Sequence, residues 1–275
     1  MKLDPTSALG RAAQLLRLSG PAGPAPEVAE SGDALVCPAT GRRAVVRNGI
    51  IDLLGTRFEP NLGQRLLDTA PSAWFYDLIR PRLAPLVGMP TFDSEVASVV
   101  ERLGLEPGST VLDIACGQGN FTLELARFVG PGGLVIGLDI AGAMLKRAVQ
   151  HLRESGLSNV VLLRGDALDL PFADACLSHI NCSGGLHQFP DLKRALAEMA
   201  RANRPAGRMT ISGFASPTND SNVGFRRWVQ GGDVNFVPMD ELEADMQSAG
   251  YEQIGGDMPG RWVGYRWGTR NHTRV

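Results

Sequence analysis

Residues Val111 to Asn120 read VLDIACGQGN, and this stretch decides the fold. A mostly apolar run that ends around the acid Asp113 leads into a turn containing Gly117 and Gly119. The next segment, FTLELARFVG, has apolar residues at helical spacing. A strand, a glycine turn and a helix N-terminus in this order bring backbone N–H groups against a bound ligand.

The details of this turn argue against a dinucleotide ligand. A GxGxxG motif would place its third glycine where Thr122 stands, and an acid at the end of the strand would repel phosphate. A ligand with an amino-acid moiety and a cationic sulfur suits Asp113 much better. S-adenosylmethionine is such a ligand.

Composition limits the class of protein. The 275 residues are 44% apolar and 20% charged, and the formal net charge is −2, which is ordinary for a globular protein of one large α/β domain with an appendage. A dedicated nucleic-acid binder would show a basic excess. The sequence has no apolar run near the about 18 residues of a membrane span, and its first twenty residues lead us to expect no signal peptide. Its four cysteines lack the spacing of a disulfide framework, so we expect a cytoplasmic protein.

The pattern becomes regular from Asp93, where an amphipathic helix with Asp93 as its N-cap begins. Predicted strands at 110–115, 134–139, 160–164, 175–181 and 207–213 alternate with helices at 119–129, 142–154 and 191–202. Such alternation indicates βαβ units and a parallel sheet. A capped helix at 239–250 and strands near 251–257 and 261–269 complete the chain.

Three regions follow from this pattern. Residues 1–60 form an N-terminal appendage, in which an Asn48-Gly49 turn predicts a small β-hairpin. Residues 61–92 form a helical lid or connector. Residues 93–275 form the ligand-binding domain, with a polar, Gly- and Pro-containing insertion at 214–238 whose length is typical of lids and binding loops.

Acids stand near the ends of three successive predicted strands. Asp113, Asp139 and Asp166 are separated by one βαβ unit each, so all three reach the same rim of the sheet. Asp139 can accept both hydroxyls of an adenosine ribose. Asp166 can meet the adenine amino group, with Ala167 or Leu168 against the ring. The alternative is that such acids only cap the helices that follow.

From about Asp93 to Gly268 the chain resembles class I S-adenosylmethionine-dependent methyltransferases, in the small-molecule branch that includes quinone-biosynthesis enzymes. The motifs that carry the resemblance are VLDIACGQGN, VIGLDIAGAML, GDALDLPF and RPAGRMTISGF. It implies a Rossmann-like α/β fold with a seven-stranded, mostly parallel sheet, helices on both faces and an antiparallel last strand. It also implies that S-adenosylmethionine contacts Tyr76, Asp113, Ala115, Gly117, Gly119, Asn120, Asp139, Ile140, Met144, Gly165, Asp166, Ala167, Asn181 and Cys182.

Two positions depart from the family pattern. Ala115 stands where a glycine often follows the first acid, and the usual Pro-Gly-Gly turn is Pro205-Ala206-Gly207. Both changes replace one small residue by another. The N-terminal hairpin also resembles zinc ribbons that precede some bacterial methyltransferases. Its knuckle reads Cys37-Pro38-Ala39-Thr40 with no second cysteine pair, so we expect the ribbon shape without the metal.

His187, in the segment NCSGGLHQFPD after the fourth strand, is the candidate catalytic residue. Its imidazole can take a hydroxyl proton as the methyl group arrives, or it packs structurally beside the adenosine pocket. His179 lies inside the strand and is expected to be buried or bonded to the backbone. The segment Asn181-Cys182-Ser183-Gly184 lacks the Pro-Pro-Tyr of many nucleobase methyltransferases, which disfavours base methylation.

Aromatic residues outside the regular pattern suggest parts of a binding pocket. Tyr76 resembles a tyrosine that folds over the methionine end of the cofactor in related enzymes, although ordinary helix packing is the alternative. In the 214–238 insertion, an acceptor pocket is expected from aromatic residues and an acid-binding arginine: Phe225, Trp228, Phe236 and either Arg226 or Arg227. A solvated arginine pair is the alternative for the last two.

Three function classes follow. The first is a methyltransferase that O- or C-methylates a small, largely apolar metabolite, for example in secondary metabolism. The second is an RNA methyltransferase, which the ribbon suggests and the acidic balance opposes. The third keeps the cofactor but serves as a cyclase or a binding subunit. The identity of the acceptor and the oligomeric state are open at this level.

Overall fold

The computed structural model describes residues 4, 6–16, 27–29, 33–37, 41, 43–54, 90–216, 237–258 and 263–271. Several predicted features lie outside the described residues. These are the 61–89 part of the connector with Tyr76, and residues 217–236 of the insertion with its aromatic residues and the arginine pair.

The described residues contain six α-helices: α1 (Ala8–Leu15), α2 (Phe92–Leu103), α3 (Asn120–Val129), α4 (Gly142–Ser155), α5 (Leu192–Ala202) and α6 (Met239–Ser248). Polar side chains cap three of them, because Ser7, Thr91 and Asp191 each accept a backbone N–H from the first turn. The prediction that Asp93 caps α2 is wrong. Thr91 is the cap, and Asp93 lies in the first turn, where its charge favours the helix dipole.

The same residues contain twelve strands: β1 (Glu27–Val28), β2 (Ala34–Val36), β3 (Arg43–Arg47), β4 (Ile50–Asp52), β5 (Thr110–Ile114), β6 (Leu134–Asp139), β7 (Val160–Arg164), β8 (Leu177–Cys182), β9 (Asn203–Ser216), β10 (Val237–Pro238), β11 (Tyr251–Asp257) and β12 (Val263–Arg270). The predicted strands are all present. The largest difference is β9, which is longer than the predicted 207–213 because it pairs with β8, β12 and β10.

Seven strands form the sheet that the family resemblance implies. Their order is β7-β6-β5-β8-β9-β12-β11, and β7, β6, β5, β8 and β9 are parallel. Strand β12 is antiparallel to both β9 and β11. The predicted Rossmann-like fold with an antiparallel last strand is therefore confirmed.

The count of seven strands is too low, because the N-terminal strands continue the same sheet. Strand β4 pairs in parallel with β7, and β3, β2 and β1 follow in antiparallel order. The predicted β3–β4 hairpin is present, with left-handed backbone at Asn48 (φ 52°) and Gly49 (φ 84°). Strand β7 would otherwise be an open edge, which proteins normally cover. Local sequence patterns do not reveal which edge a hairpin joins.

Helices cover both faces of the sheet. One core cluster packs α2, α3 and α4 against β5, β6 and β7, and a second packs α1, α5 and α6 against the opposite face. Helix α1 covers β6 and β7 on this second face, where residues 165–176 between β7 and β8 contain no helix. Arg11 of α1 donates to the carbonyls of Gly132 and Gly133 at 2.7 and 2.8 Å. The N-terminal helix is thus part of the core.

Candidate cofactor site

The carboxyl ends of the parallel strands meet at one edge of the sheet. Asp113 is in register with Gly137 on one side and with Asn181 on the other, and Asp139 is in register with Arg164. The three acids predicted for one rim therefore lie at the same edge. This edge is where open α/β sheets bind ligands.

The glycine turn between β5 and α3 depends on left-handed backbone. Gly117 has φ 55° and Gly119, the N-cap of α3, has φ 81°. Two hydrogen bonds hold the turn against β6: Gly117 N donates to Oδ2 of Asp139 at 2.7 Å, and Cys116 N donates to Leu138 O at 3.1 Å. A side chain at Gly119 would lie 3.3 Å from Cβ of Ala148. The turn therefore needs glycine for conformation and for space.

The two departures from the family pattern share one physical feature. Ala115 has φ 53° and Ala206 has φ 59°, so both occupy the left-handed region that glycine adopts without strain. An L-residue there costs about 1–2 kcal/mol. The alanines are tolerated, but each stores strain that glycine would not.

Asp113 is buried at this edge of the sheet, and its predicted contact with the cofactor stays a prediction. It is 1% exposed, and Thr122 Oγ1 donates to its Oδ2 at 2.5 Å while Asn181 Nδ2 donates to its Oδ1 at 2.7 Å. Burial raises the pKa of Asp113 to about 6, although these hydrogen bonds oppose the rise. Its carboxylate therefore ties the first turn of α3 to β5 and β8.

A buried polar row extends from Asp113 across β8 to β9. Oδ1 of Asn181 accepts from Thr210 Oγ1 and from Ser183 Oγ, each at 2.9 Å. Ser212 Oγ accepts from Gly184 N at 3.1 Å. Asn181 is thus fully buried and engaged with protein groups, and its predicted contact with the cofactor stays a prediction.

Sequence reasoning missed Thr122 and the two β9 residues of this row. In the sequence, Thr122 is notable only as the position where a GxGxxG motif would have its third glycine. Thr210 and Ser212 could have been found from the segment RMTISGF, in which apolar and polar residues alternate. Met209 and Ile211 are buried on one face of β9, so the two hydroxyls lie on the other.

Asp139 lies between the glycine turn and the start of α4. Its Oδ1 accepts from Ala141 N at 2.8 Å and its Oδ2 accepts from Gly117 N, and the residue is 8% exposed. Ala141 is the N-cap of α4 and provides no side-chain cap, while Met144 packs against it. The two backbone bonds therefore fix the Asp139 carboxylate between the glycine turn and the start of α4.

Asp166 follows β7 beside Asp139. Leu168 N donates to Oδ1 of Asp166 at 2.9 Å, and Asp166 is half-buried. Gly165 N donates to Asp139 O at 3.0 Å, which holds the two strand ends together. Ala167 is buried next to them. The predicted adenine-contacting segment and the predicted ribose-binding acid are therefore neighbours.

His187 lies in a 3-10 turn, Leu186–Gln188, after β8. Phe214 N donates to its Nδ1 at 3.4 Å, and the rings of His187 and Phe214 have centroids 4.5 Å apart. Burial lowers the pKa of His187 to about 4. The imidazole is therefore neutral near pH 7, and because Nδ1 accepts, its proton resides on Nε2.

The remaining candidates are placed as follows. Cys182 is buried, and burial raises the pKa of its thiol. Nδ1 of His179 lies 3.1 Å from Thr110 O, which confirms the predicted backbone bond. Within the described ranges no group of three His, Cys, Asp or Glu side chains is arranged to hold a metal ion. None of the helices described is long and apolar enough to cross a membrane.

Comparisons with known proteins identify the family of this chain. Residues 105–248 match the family model described as a methyltransferase domain. The demethylmenaquinone methyltransferase of Anoxybacillus flavithermus is 30% identical over 180 residues, which cover 56% of this chain and 75% of the relative. The protein of the same name from Staphylococcus carnosus is 33% identical over 178 residues, with coverages of 57% and 73%.

Among solved structures, the fold is similar to phosphoethanolamine N-methyltransferase 2 from Haemonchus contortus in complex with S-adenosyl-L-methionine. The TM-score is 0.67 at 14% identity, and the match covers 78% of this chain and 61% of that chain. The fold and these comparisons identify the chain as a class I S-adenosylmethionine-dependent methyltransferase. The chain belongs to the methyltransferase-domain family, and the predicted small-molecule branch is confirmed.

Proposed function

We propose that this chain transfers a methyl group from S-adenosylmethionine to a carbon or oxygen atom of a small, largely apolar acceptor. The observation that carries the proposal is the edge formed by Asp139 and Asp166. Asp139 accepts two backbone N–H groups and Asp166 accepts one, and these bonds fix the position of each carboxylate. Fixed acceptors at adjacent strand ends suit the hydroxyls and the amino group of an adenosine.

The residues of this edge fit the cofactor. Asp139 would hold the ribose hydroxyls, Asp166 the adenine amino group, and the Gly117–Gly119 turn would admit the methionine end. Ile140 and Met144 would supply apolar contact. When bound, S-adenosylmethionine supplies an electrophilic methyl group on a positively charged sulfur. The chain then has to orient the acceptor and exclude water.

Asp113 and Asn181 take a different part in this proposal. Both are buried, so we assign them to the framework below the turn rather than to direct ligand contact. They hold α3 and the loop after β8 at fixed positions relative to β5. The residues above them, including the segment Ser183–His187, are therefore carried on a rigid base.

A quinol-like ring is the acceptor to test first. The relatives of 30% and 33% identity are named as demethylmenaquinone methyltransferases. Such a ring is small and apolar and carries hydroxyls that activate its carbons. The net charge of −2 and the segment after β8 give no support to an RNA acceptor. We further propose that the reaction takes place in the cytoplasm, which the lack of a disulfide among the four described cysteines supports.

His187 is the proposed acceptor-side residue. Because Phe214 N occupies Nδ1, the ring nitrogen left for the acceptor is Nε2, which carries a proton. We therefore favour a hydrogen bond from Nε2 to an acceptor oxygen over proton abstraction. A neutral ring of low pKa is a poor base for a hydroxyl group.

Two measurements test the proposed function. Calorimetry with S-adenosylhomocysteine should detect binding, Asp139→Asn should weaken it, and Asp169→Asn, at an exposed site beside Asp166, should leave it unchanged. Incubation with labelled S-adenosylmethionine and a panel of reduced quinones, phenols and cell extract should yield a methylated product by mass spectrometry. Cofactor binding without turnover over the whole panel would favour a cyclase or binding subunit instead. Salt-dependent RNA binding would favour the RNA class.

A further inference from the structure

Arg164, the last residue of β7, contacts two separate segments of the chain. Its Nη1 lies 3.2 Å from Oδ2 of Asp52, the last residue of the N-terminal strand β4. Its Nε donates to Ile140 O at 3.3 Å. Ile140 follows Asp139 directly, so one guanidinium joins strands β1–β4, called here the N-terminal ribbon, to the proposed ribose-binding segment.

The surrounding backbone makes this arrangement specific. Asp52 and Arg164 are in register between parallel strands, and Leu53 N donates to Arg164 O at 3.0 Å. Oδ1 of Asp52 accepts from Leu54 N at 3.1 Å, which fixes the carboxylate. At Gly142 a Cβ would lie 3.6 Å from Nε of Arg164, so the guanidinium runs along the start of α4.

The pair is partly shielded from water. The side chains of Arg164 and Asp52 are 23% and 27% exposed. By contrast, the Arg43–Asp33 pair in the same ribbon has side chains 57% and 62% exposed and a distance of 3.7 Å. A partly buried, fixed pair holds its geometry better than an exposed one, and the guanidinium fork can serve two acceptors at once.

We propose that Arg164 and Asp52 are positioning residues for the adenosine half of the cofactor. Asp52 orients Arg164, Arg164 holds the Ile140 carbonyl, and the Asp139–Ile140 segment is thereby kept in place. The N-terminal ribbon is then part of the cofactor site, through β4, and not only an appendage. This inference rests on the proposed function, because it takes the end of β6 as the ribose site.

The test compares ligand affinity with stability. Calorimetry gives the Kd of S-adenosylhomocysteine and of 5′-methylthioadenosine, which contains the adenosine half without the amino acid. Arg164→Gln should weaken both ligands by the same factor, about tenfold, and Asp52→Asn by about threefold. Arg164→Lys keeps a positive charge for Asp52 but lacks the guanidinium fork. Its Kd values should lie between those of the wild type and Arg164→Gln. The matched control Arg43→Gln breaks the exposed ribbon pair and should leave both Kd values unchanged.

Thermal unfolding without ligand separates positioning from general destabilisation. If Asp52→Asn and Arg164→Lys lower the melting temperature but bind both ligands like the wild type, the inference is overturned and the pair is only structural. Asp52→Asn is the milder change and keeps this outcome measurable if Arg164→Gln does not fold. Absence of binding by the wild type would instead remove the proposed function, and this inference with it.

Discussion

The side-chain amide of Asn181 donates to the carboxylate of Asp113 across 2.7 Å, at a point where neither residue is reached by solvent. This bond links β5 to β8 directly below the candidate site. It places a carboxylate at the start of α3, where Thr122 also binds it. The stability of the site framework therefore depends on a buried ionisable group.

This group makes stability depend on pH in a defined direction. Burial raises the folded-state pKa of Asp113 from 3.8 to about 6, so the folded protein binds this proton more tightly than the unfolded chain. The stabilisation of the folded state by this proton is fully present below about pH 4. It is lost as the pH rises through 6, and the total loss in the free energy of unfolding is about 3 kcal/mol. Urea unfolding of wild type and Asp113→Asn at pH 4.5 and 7.5 measures it. Between pH 4.5 and 7.5 the free energy of unfolding of the wild type should fall relative to that of Asp113→Asn. An equal change with pH in both proteins would contradict the prediction.

Removing the side-chain amide of Asn181 should destabilise the folded protein. Asn181→Ala leaves Oδ1 of Asp113 without its donor and the hydroxyls of Thr210 and Ser183 without their acceptor. Unsatisfied buried polar groups cost about 1–3 kcal/mol each, so the free energy of unfolding should fall by at least about 2 kcal/mol. Thr210→Ser retains a hydroxyl and serves as the control, with a much smaller loss. A loss for Asn181→Ala that is no larger than the control's would show that the row does not stabilise the fold.

The sequence predicted the fold well because the relevant signals are local. Strand ends, the glycine turn and the position of Asp139 and Asp166 follow from apolar periodicity and turn residues within short windows. The hydrogen-bond partners of Asp113 did not follow, since Thr122 and Asn181 reach it only through the packing of α3 and β8 against β5. The joining of β4 to β7 was also missed, because the hairpin and the strand it covers are far apart in the chain.

The strain at Ala115 predicts a stabilising substitution. Ala115→Gly removes the left-handed strain of about 1–2 kcal/mol, and the greater freedom of glycine in the unfolded chain offsets roughly half of it. The expected gain is about 0.5–1 kcal/mol in the free energy of unfolding. Ala126→Gly, in the middle of α3, should instead lose about 1 kcal/mol or more. Denaturant unfolding measures both changes in the free energy of unfolding. If Ala115→Gly lowers it as much as Ala126→Gly does, the backbone at Ala115 is not strained.

Two substitutions separate the possible roles of His187. Asn at this position retains an acceptor near Nδ1 for Phe214 N but has no donor at the place of Nε2. Gln reaches the place of Nε2 with its amide N–H but loses the Nδ1 acceptor. If Nε2 donates to the acceptor oxygen, His187→Asn should lower kcat about a hundredfold, as for loss of one aligned donor, while His187→Gln stays within about tenfold of wild type.

The same pair of variants distinguishes the alternatives. Proton abstraction by the imidazole requires a base that neither amide provides, so both variants would lose activity equally. A purely structural role through Phe214 would leave His187→Asn close to wild type and impair His187→Gln. The measurement is kcat and KM with any acceptor that the panel yields, together with the Kd of S-adenosylhomocysteine. That Kd should be unchanged in both variants, because His187 lies after β8 whereas the proposed adenosine contacts lie at the ends of β6 and β7.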